Sequence, residues 1–338
     1  MSTRSAARPA TLLATLLATA LAVSGCGSSA GEESGSEDGG STGSEAFPVT
    51  VSTAFGDVTI EEEPTRVVAL GWSDAETALA LGVQPVGASD WLAVGGDDGL
   101  GDWVEDGYDE APEIIETLEP SYEAIAALEP DLILDTRSPA TAETPERYEL
   151  LSAIAPTIGQ PEGVDAYLTT WQQQLELVGQ ALGKPDEAAE LADEVEQAFA
   201  DAAAEHPEFD GTEVAVGAYS SEGFGAYVRG DARVDFMEDL GFTNKAAIDD
   251  LSTGSFFVPV SDEQLNLLDA ELTVVFPIFI ESSEFTANPL WLALPSVQEG
   301  RAVVLDDLAV LNAFSSASAP GLLYALDTAV PLFADALG

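Results

Sequence analysis

The feature that most narrows what this chain can fold into is a segment that occurs twice. Ser121-Tyr-Glu123-Ala-Ile125-Ala-Ala-Leu128-Glu-Pro-Asp131-Leu132 and Ser261-Asp-Glu263-Gln-Leu265-Asn-Leu-Leu268-Asp-Ala-Glu271-Leu272 share one pattern. Each opens with Ser-x-Glu, places apolar residues at helical spacing, breaks at an acidic residue and continues into a strand. Both copies sit in a run of alternating strands and helices. Around the first, Arg66-Val-Val-Ala-Leu70 reads as a buried strand, Asp74 to Leu81 as a helix stopped by Gly82, Val83 to Ala88 as a strand, Tyr122 to Leu128 as a helix and Leu132 to Leu134 as a strand. Around the second, Val214 to Ala218 reads as a strand, Val234 to Leu240 as a helix stopped by Gly241, Ser261 to Leu268 as a helix and Leu272 to Phe276 as a strand. Such alternation implies parallel βαβ units. The predicted fold class is therefore α/β, built as two similar lobes.

Between the halves, Asp186 to Glu205 contains no Gly or Pro and follows Pro185 directly. Ala188, Leu191, Ala192, Val195, Phe199 and Ala202 recur at three- and four-residue steps and form one helical face. A helix of about 20 residues is roughly 30 Å long, which makes it a single stiff connector. At the start of the folded part, Val49 to Phe55 and Val58 to Ile60 flank Gly56-Asp57 and read as a β-hairpin. The expected organisation is a leader over 1–25, a tether over 26–47, a first lobe over 48–185, a connecting helix over 186–206 and a second lobe over 207–338.

The leader carries Arg4 and Arg8, then an apolar run from Ala10 to Val23, then small residues before Cys26, the order of an export signal. The run is shorter than the roughly 20 residues a spanning helix needs. Val23-Ser24-Gly25-Cys26 resembles the bacterial lipobox, whose cysteine is acylated and becomes the new N-terminus. Cys26 is the only cysteine in the chain, so no disulfide is available to the folded part. Gly27 to Ala46 consists of Gly, Ser, Ala, Thr, Glu and Asp alone, a composition unable to offset its own ordering entropy. A tether of that kind spans roughly 25 Å, at about 5 to 6 Å per square root of residue number. The expected location is extracytoplasmic, with the protein held at the cell membrane through Cys26.

Charge excludes one class of partner. The chain has 61 Asp and Glu against 10 Lys and Arg, a formal net charge of -51, and two of those arginines leave with the leader. Phosphate backbones would be repelled, so nucleic acid is no partner. The usual marks of catalysis are also missing. His206, beside Pro207, is the sole histidine, which makes a histidine-based triad or a multi-histidine zinc site hard to build. There is no Gly-x-Ser-x-Gly and no phosphate-binding loop of the Walker type. Gly223-Phe224-Gly225 has Val228 where a dinucleotide fingerprint needs its third glycine, and the acidic stretch from Asp97 to Glu110 lacks EF-hand spacing. No catalytic residue, metal ligand or cofactor is assigned. An exported hydrolase with a carboxylate pair stays open as the alternative from another class.

What remains is a set of aromatic and arginine residues. Open α/β sheets bind ligands at the carboxyl ends of their strands. Trp72, Arg137 and Tyr219 each follow a predicted strand, and Trp91, Phe224, Tyr227, Arg229 and Arg233 complete the candidate ligand-binding set. In so acidic a chain a guanidinium suits the oxygens of a carboxylate, catecholate or hydroxamate. Each arginine is equally open to an ion pair with a nearby carboxylate, and each tryptophan to core packing.

From Arg66 onward the chain resembles the class III solute-binding proteins of bacterial ABC importers, in the branch that handles ferric siderophores, with cobalamin and haem binders as relatives. The resemblance rests on Arg66-Val-Val-Ala-Leu70 with Glu76-Thr-Ala-Leu-Ala-Leu-Gly82, on Glu123 to Leu134, on Tyr148 to Pro156, on Asp235-Phe-Met-Glu-Asp-Leu-Gly241 and on Leu294 to Val304, in that order. It implies two Rossmann-like lobes on one rigid helix with a ligand cleft between them, little hinge motion, and an expected monomer that captures a ferric siderophore, or alternatively cobalamin or haem, and delivers it to a permease. The iron would be bound only as part of the chelate. It also implies that Glu123 and Glu263, the two residues paired by the internal repeat, dock on the permease. The family's zinc and manganese branch uses several histidines, which this chain lacks.

Overall fold

The computed structural model describes residues 46–91, 96, 98–104, 107–138 and 144–338; Cys26 and the tether up to residue 45 lie outside them. The chain opens with a hairpin of β1 (Val49–Thr53) and β2 (Gly56–Ile60). Pairing of Thr53 with Gly56 puts the turn at Ala54-Phe55, one step before the expected Gly56-Asp57. Gly56 adopts φ 111, which only glycine takes without strain, so it serves as the first residue of the returning strand.

The first lobe follows as β3 (Val67–Ala69), α1 (Asp74–Ala80), β4 (Gly87–Ser89), β5 (Glu113–Ile115), α2 (Tyr122–Ala127), β6 (Leu132–Leu134), α3 (Thr144–Ser152) and β7 (Thr157–Ile158). Its five strands lie in the order β5-β4-β3-β6-β7 and all pair in parallel. β3 and β6 are buried along their whole length, as strands covered on both faces must be. Gly82, at φ 75, ends α1 as the sequence predicts. The expected strand over Val83 to Ala88 is a correction. Val83 to Pro85 form the approach to β4, because the Val83 N–H is still engaged by the Ala78 carbonyl at the end of α1.

Helices α4 (Trp171–Ala181) and α5 (Pro185–Glu205) then cross to the second lobe. The connector starts at Pro185, whose missing N–H costs nothing in a first helical turn, and buries Ala188, Val195 and Phe199. The second lobe runs β8 (Glu213–Ser220), β9 (Gly223–Tyr227), α6 (Ala232–Asp239), β10 (Thr243–Asn244), α7 (Ala246–Asp249), β11 (Phe257–Val260), β12 (Leu272–Pro277), α8 (Ser283–Thr286), α9 (Pro295–Gln298), β13 (Ala302–Val304), α10 (Leu308–Ser316) and α11 (Ala319–Leu337). Its sheet has the order β11-β9-β8-β12-β13, with β10 joining β8.

Two expectations change here. The second sheet is mixed: β8, β12 and β13 are parallel, whereas β9 is antiparallel to both β8 and β11. Only Ser221 and Glu222 separate β8 from β9, too few for the crossover a parallel pair requires. The glycines at 223 and 225 are therefore strand positions. A Cβ on Gly225 would stand 3.1 Å from the Phe257 ring, so the close cross-strand approach explains that residue. In addition, Asp262–Leu268 is a 3-10 helix and its sequence twin is the α-helix α2. Ser121 caps α2 by accepting from the Ala124 N–H, while Ser261 makes no side-chain cap.

One apolar cluster joins the lobes. It includes Val67 and Leu134 of the first sheet, Val214 and Phe276 of the second, Val195 and Phe199 of α5, and Leu322 and Phe333 of α11. Among the described residues no helix is long and apolar enough to cross a membrane.

Candidate ligand-binding site

The rim of the first lobe is built around a buried carboxylate. Asp74, at the start of α1, accepts hydrogen bonds from the Gly71 N–H (2.9 Å), the Thr136 N–H (3.0 Å), the Thr136 hydroxyl and the Gln174 amide (2.7 Å). It thereby ties together the loops that follow β3 and β6 and the start of α4. Burial pushes its pKa up to about 6, against the lowering effect of these donors. The clamp aims the two loops: Trp72 donates its N–H to the Arg137 carbonyl at 3.1 Å.

Trp72 packs on Trp91 with ring centroids 4.6 Å apart, and the Trp91 indole donates to the Gly71 carbonyl at 2.9 Å. Both line a small cavity with Trp103, Glu76 and, from α10 in the other lobe, Asn312 and Ser316. Glu76 crosses to the second lobe. It accepts from the Ser318 hydroxyl, from the Trp103 indole (3.0 Å) and from the Gly101 N–H (3.0 Å). Ser318 caps α11, so Glu76 faces the positive end of a 19-residue helix. Burial raises its pKa all the same.

Arg137 follows β6 and also reaches across the lobes. It is 7% exposed, and its guanidinium donates to the Ser316 carbonyl at 3.1 Å. That is the only hydrogen bond of its guanidinium among the described residues, where it has no salt bridge. A guanidinium has five N–H donors, so among the described residues most of this one's capacity is not taken up by protein. Burial lowers its pKa to about 10.

The second lobe supplies Arg233, in the first turn of α6. It grips Asp231 with two hydrogen bonds of 2.8 and 2.6 Å and lies 4.0 Å from the centroid of the Tyr227 ring. Burial opposes its charge, yet Asp231 keeps its pKa above the ordinary value. The two arginines repel one another, and both act on the Tyr167 hydroxyl, so all three share one space. Tyr167 stacks on Phe256 of the second lobe, 5.2 Å between centroids and 9° between planes. Beside this group lies a cavity of about 180 Å³ lined by Arg137, Tyr167 and Trp171 together with Asp235, Glu238 and Asp239 of α6.

Of the candidate residues, Arg137, Arg233 and Tyr227 gather here, and Trp72 and Trp91 meet them through Ser316. Tyr219 and Phe224 do not. Their rings lie 4.6 Å apart and pack with Phe285 and Trp291 in a separate core cluster. Arg229 is exposed and paired with Glu238 (2.7 Å) and Asp249 (3.9 Å). His206 stacks on Phe209 and bonds to Glu208 at the end of the connector. Glu123 and Glu263 are both exposed, and neither carboxylate has a hydrogen bond or ion pair among the described residues. Sequence reasoning missed Asp231, Tyr167, Ser316 and the acidic wall of α6. Asp231 alone left a signal, as an acidic residue in the capping position before Ala232.

Two α/β lobes on one continuous helix, with a polar cavity fed from both, define a protein that captures a ligand between lobes. The family described as "Periplasmic binding protein" matches residues 67–309, and the chain belongs to that family. Among curated relatives it is 28% identical over 269 residues to the Fe(3+)-citrate-binding protein YfmC of Bacillus subtilis strain 168, covering 74% of this chain and 76% of that one. It is 26% identical over 275 residues to the Fe(3+) dicitrate-binding periplasmic protein FecB of Escherichia coli K12, covering 78% and 84%. Among solved structures, a periplasmic solute binding protein of Mycobacterium smegmatis superposes with a TM-score of 0.72 at 30% identity, over 86% of this chain and 99% of that one. Streptococcus pneumoniae PiaA in complex with ferrichrome shares the fold, with a TM-score of 0.72 at 24% identity, over 86% and 98%.

Proposed function

We propose that this protein binds a ferric siderophore outside the cell membrane and delivers it, unchanged, to the permease of an ABC importer. The observation that carries the reading is Arg137: a residue 7% exposed at the junction of the lobes, lining a cavity, with one guanidinium hydrogen bond and no salt bridge among the described residues. Such a group gains from the oxygens of a bound chelate, which form charge-assisted hydrogen bonds with its remaining donors. Arg233, Tyr227, Trp72 and Trp91 supply the surrounding charge and aromatic surface. The iron is cargo within the chelate, and the protein contributes no cofactor or catalytic group of its own.

In this reading residues 1–25 are removed, lipidated Cys26 anchors the chain to the membrane, and residues 26–47 form the leash. The lobes, over 48–185 and 207–338, act as a monomer about the helix at 186–206, and Glu123 and Glu263 present one carboxylate per lobe to the permease. The exposure of both glutamates supports that role.

Tryptophan fluorescence of the soluble domain, titrated with ferric hydroxamate, catecholate and carboxylate siderophores, haem and cobalamin, tests the proposal. Saturable quenching by a ferric siderophore is expected. Arg137→Ala should weaken it ten- to a hundredfold, as about 1.5 to 3 kcal/mol per charged hydrogen bond implies. Silence toward every ferric siderophore would sink the reading.

A further inference from the structure

The α6 part of the cavity that Arg137 also lines carries the wrong charge for a strongly anionic ligand. Asp235 and Asp239 stand one turn apart on α6 and both line the cavity, Asp235 half-buried and Asp239 exposed. Asp235 accepts the Gly230 N–H at 3.1 Å, and neither carboxylate pairs with a cation among the described residues. Glu238, between them, is already engaged by Arg229 at 2.7 Å. Of the guanidiniums nearby, Arg233 is held by Asp231 and Arg229 by Glu238 and Asp249, which leaves Arg137 as the one lining the cavity without an ion pair among the described residues. Burial, reinforced by neighbouring negative charge, pushes both aspartates up to about 6, against the lowering effect of the Gly230 N–H on Asp235 and of the Trp171 indole on Asp239.

We infer that the cavity selects a ferric chelate bearing a protonated amine, whose ammonium group is received by Asp235 and Asp239 while Arg137, in the same lining, holds chelating oxygens. The inference rests on the function proposed above and narrows its cargo. An ammonium between two carboxylates relieves their repulsion and forms charge-assisted hydrogen bonds in a partly desolvated space. A polyanionic chelate such as ferric citrate would meet the same carboxylates unfavourably, even though relatives of this chain are named for it.

Ferrioxamine B, a ferric trihydroxamate ending in an ammonium group, and its N-acetyl derivative differ in that charge and share the same iron centre. With the unaltered soluble domain, ferrioxamine B should bind at least tenfold more tightly than the acetylated form and more tightly than ferric citrate. In Asp235→Asn/Asp239→Asn, checked for folding by circular dichroism, the two ferrioxamines should come within about twofold of each other. Equal binding of both forms by the unaltered protein, or a preference that survives the double substitution, overturns the inference. So does tight binding of an amine-free chelate with none of ferrioxamine B, and in that case the capture of ferric siderophores still stands. If no ferric chelate binds at all, both readings fall.

Discussion

Asp74 is the residue on which the first rim is hung, and its protonation should be visible in the stability of the whole chain. Burial raises it from 3.8 to about 6, and Asp235 and Asp239 move the same way. A carboxyl whose folded pKa lies above its unfolded value takes up its proton more readily in the folded state. Its stabilising contribution is fully present below about 4 and is lost as pH rises through 6. The thermal midpoint, followed by circular dichroism, should therefore climb as pH is lowered from 7.5 to 5. A midpoint that falls over that interval would mean these carboxylates are better solvated than the packing implies. The large excess of acidic residues works in the same direction, so Asp235→Asn and Asp239→Asn, which remove two of the three groups, should flatten the slope.

At the scale of elements, the approach of α4 to α5 reverses an ordinary rule. Gly179 lies inside α4, where alanine normally stabilises a helix by roughly 0.5 to 1 kcal/mol. Here a Cβ would stand 3.1 Å from the Lys184 carbonyl and would collide with the Ala188 methyl of α5. Overpacking of that kind costs about 1 to 3 kcal/mol, which outweighs the helical gain. Gly179→Ala should thus lower the urea midpoint with an unchanged m-value, and a raised midpoint would show that the two helices can part. The elements with clear periodicity were legible in advance: Leu132 to Leu134 and the long connector stand where the pattern puts them. The 3-10 form of Asp262–Leu268 was not, because its apolar positions suit either helix and the missing Ser261 cap shows only in three dimensions.

At the scale of the molecule, the lobes are fastened by more than the connector. The Ser316 carbonyl accepts from the Ser73 hydroxyl (2.6 Å) and from Arg137, Glu76 is buried against the start of α11, and one apolar cluster spans both sheets. The proposed dock on a permease would use Glu123 and Glu263, exposed on lobes joined in this way. Charge reversal at both, Glu123→Arg with Glu263→Arg, should leave the fluorescence titration intact and abolish uptake of the ferric chelate by cells. Normal uptake would remove these residues from the docking surface. The sequence by itself determined the α/β class, the two halves, the rigid link and the candidate arginines, because each is written in local periodicity, breakers and composition. Tertiary structure decided which candidates share a space. Arg137 and Arg233 lie far apart in the chain and meet only when the lobes pack, Phe224 turns into a core because β9 folds back on β8, and the acidic face of α6 becomes a cavity wall only against Arg137. Spatial convergence of distant residues depends on how the sheets pair and the helices pack, and no local pattern in the chain carries that information.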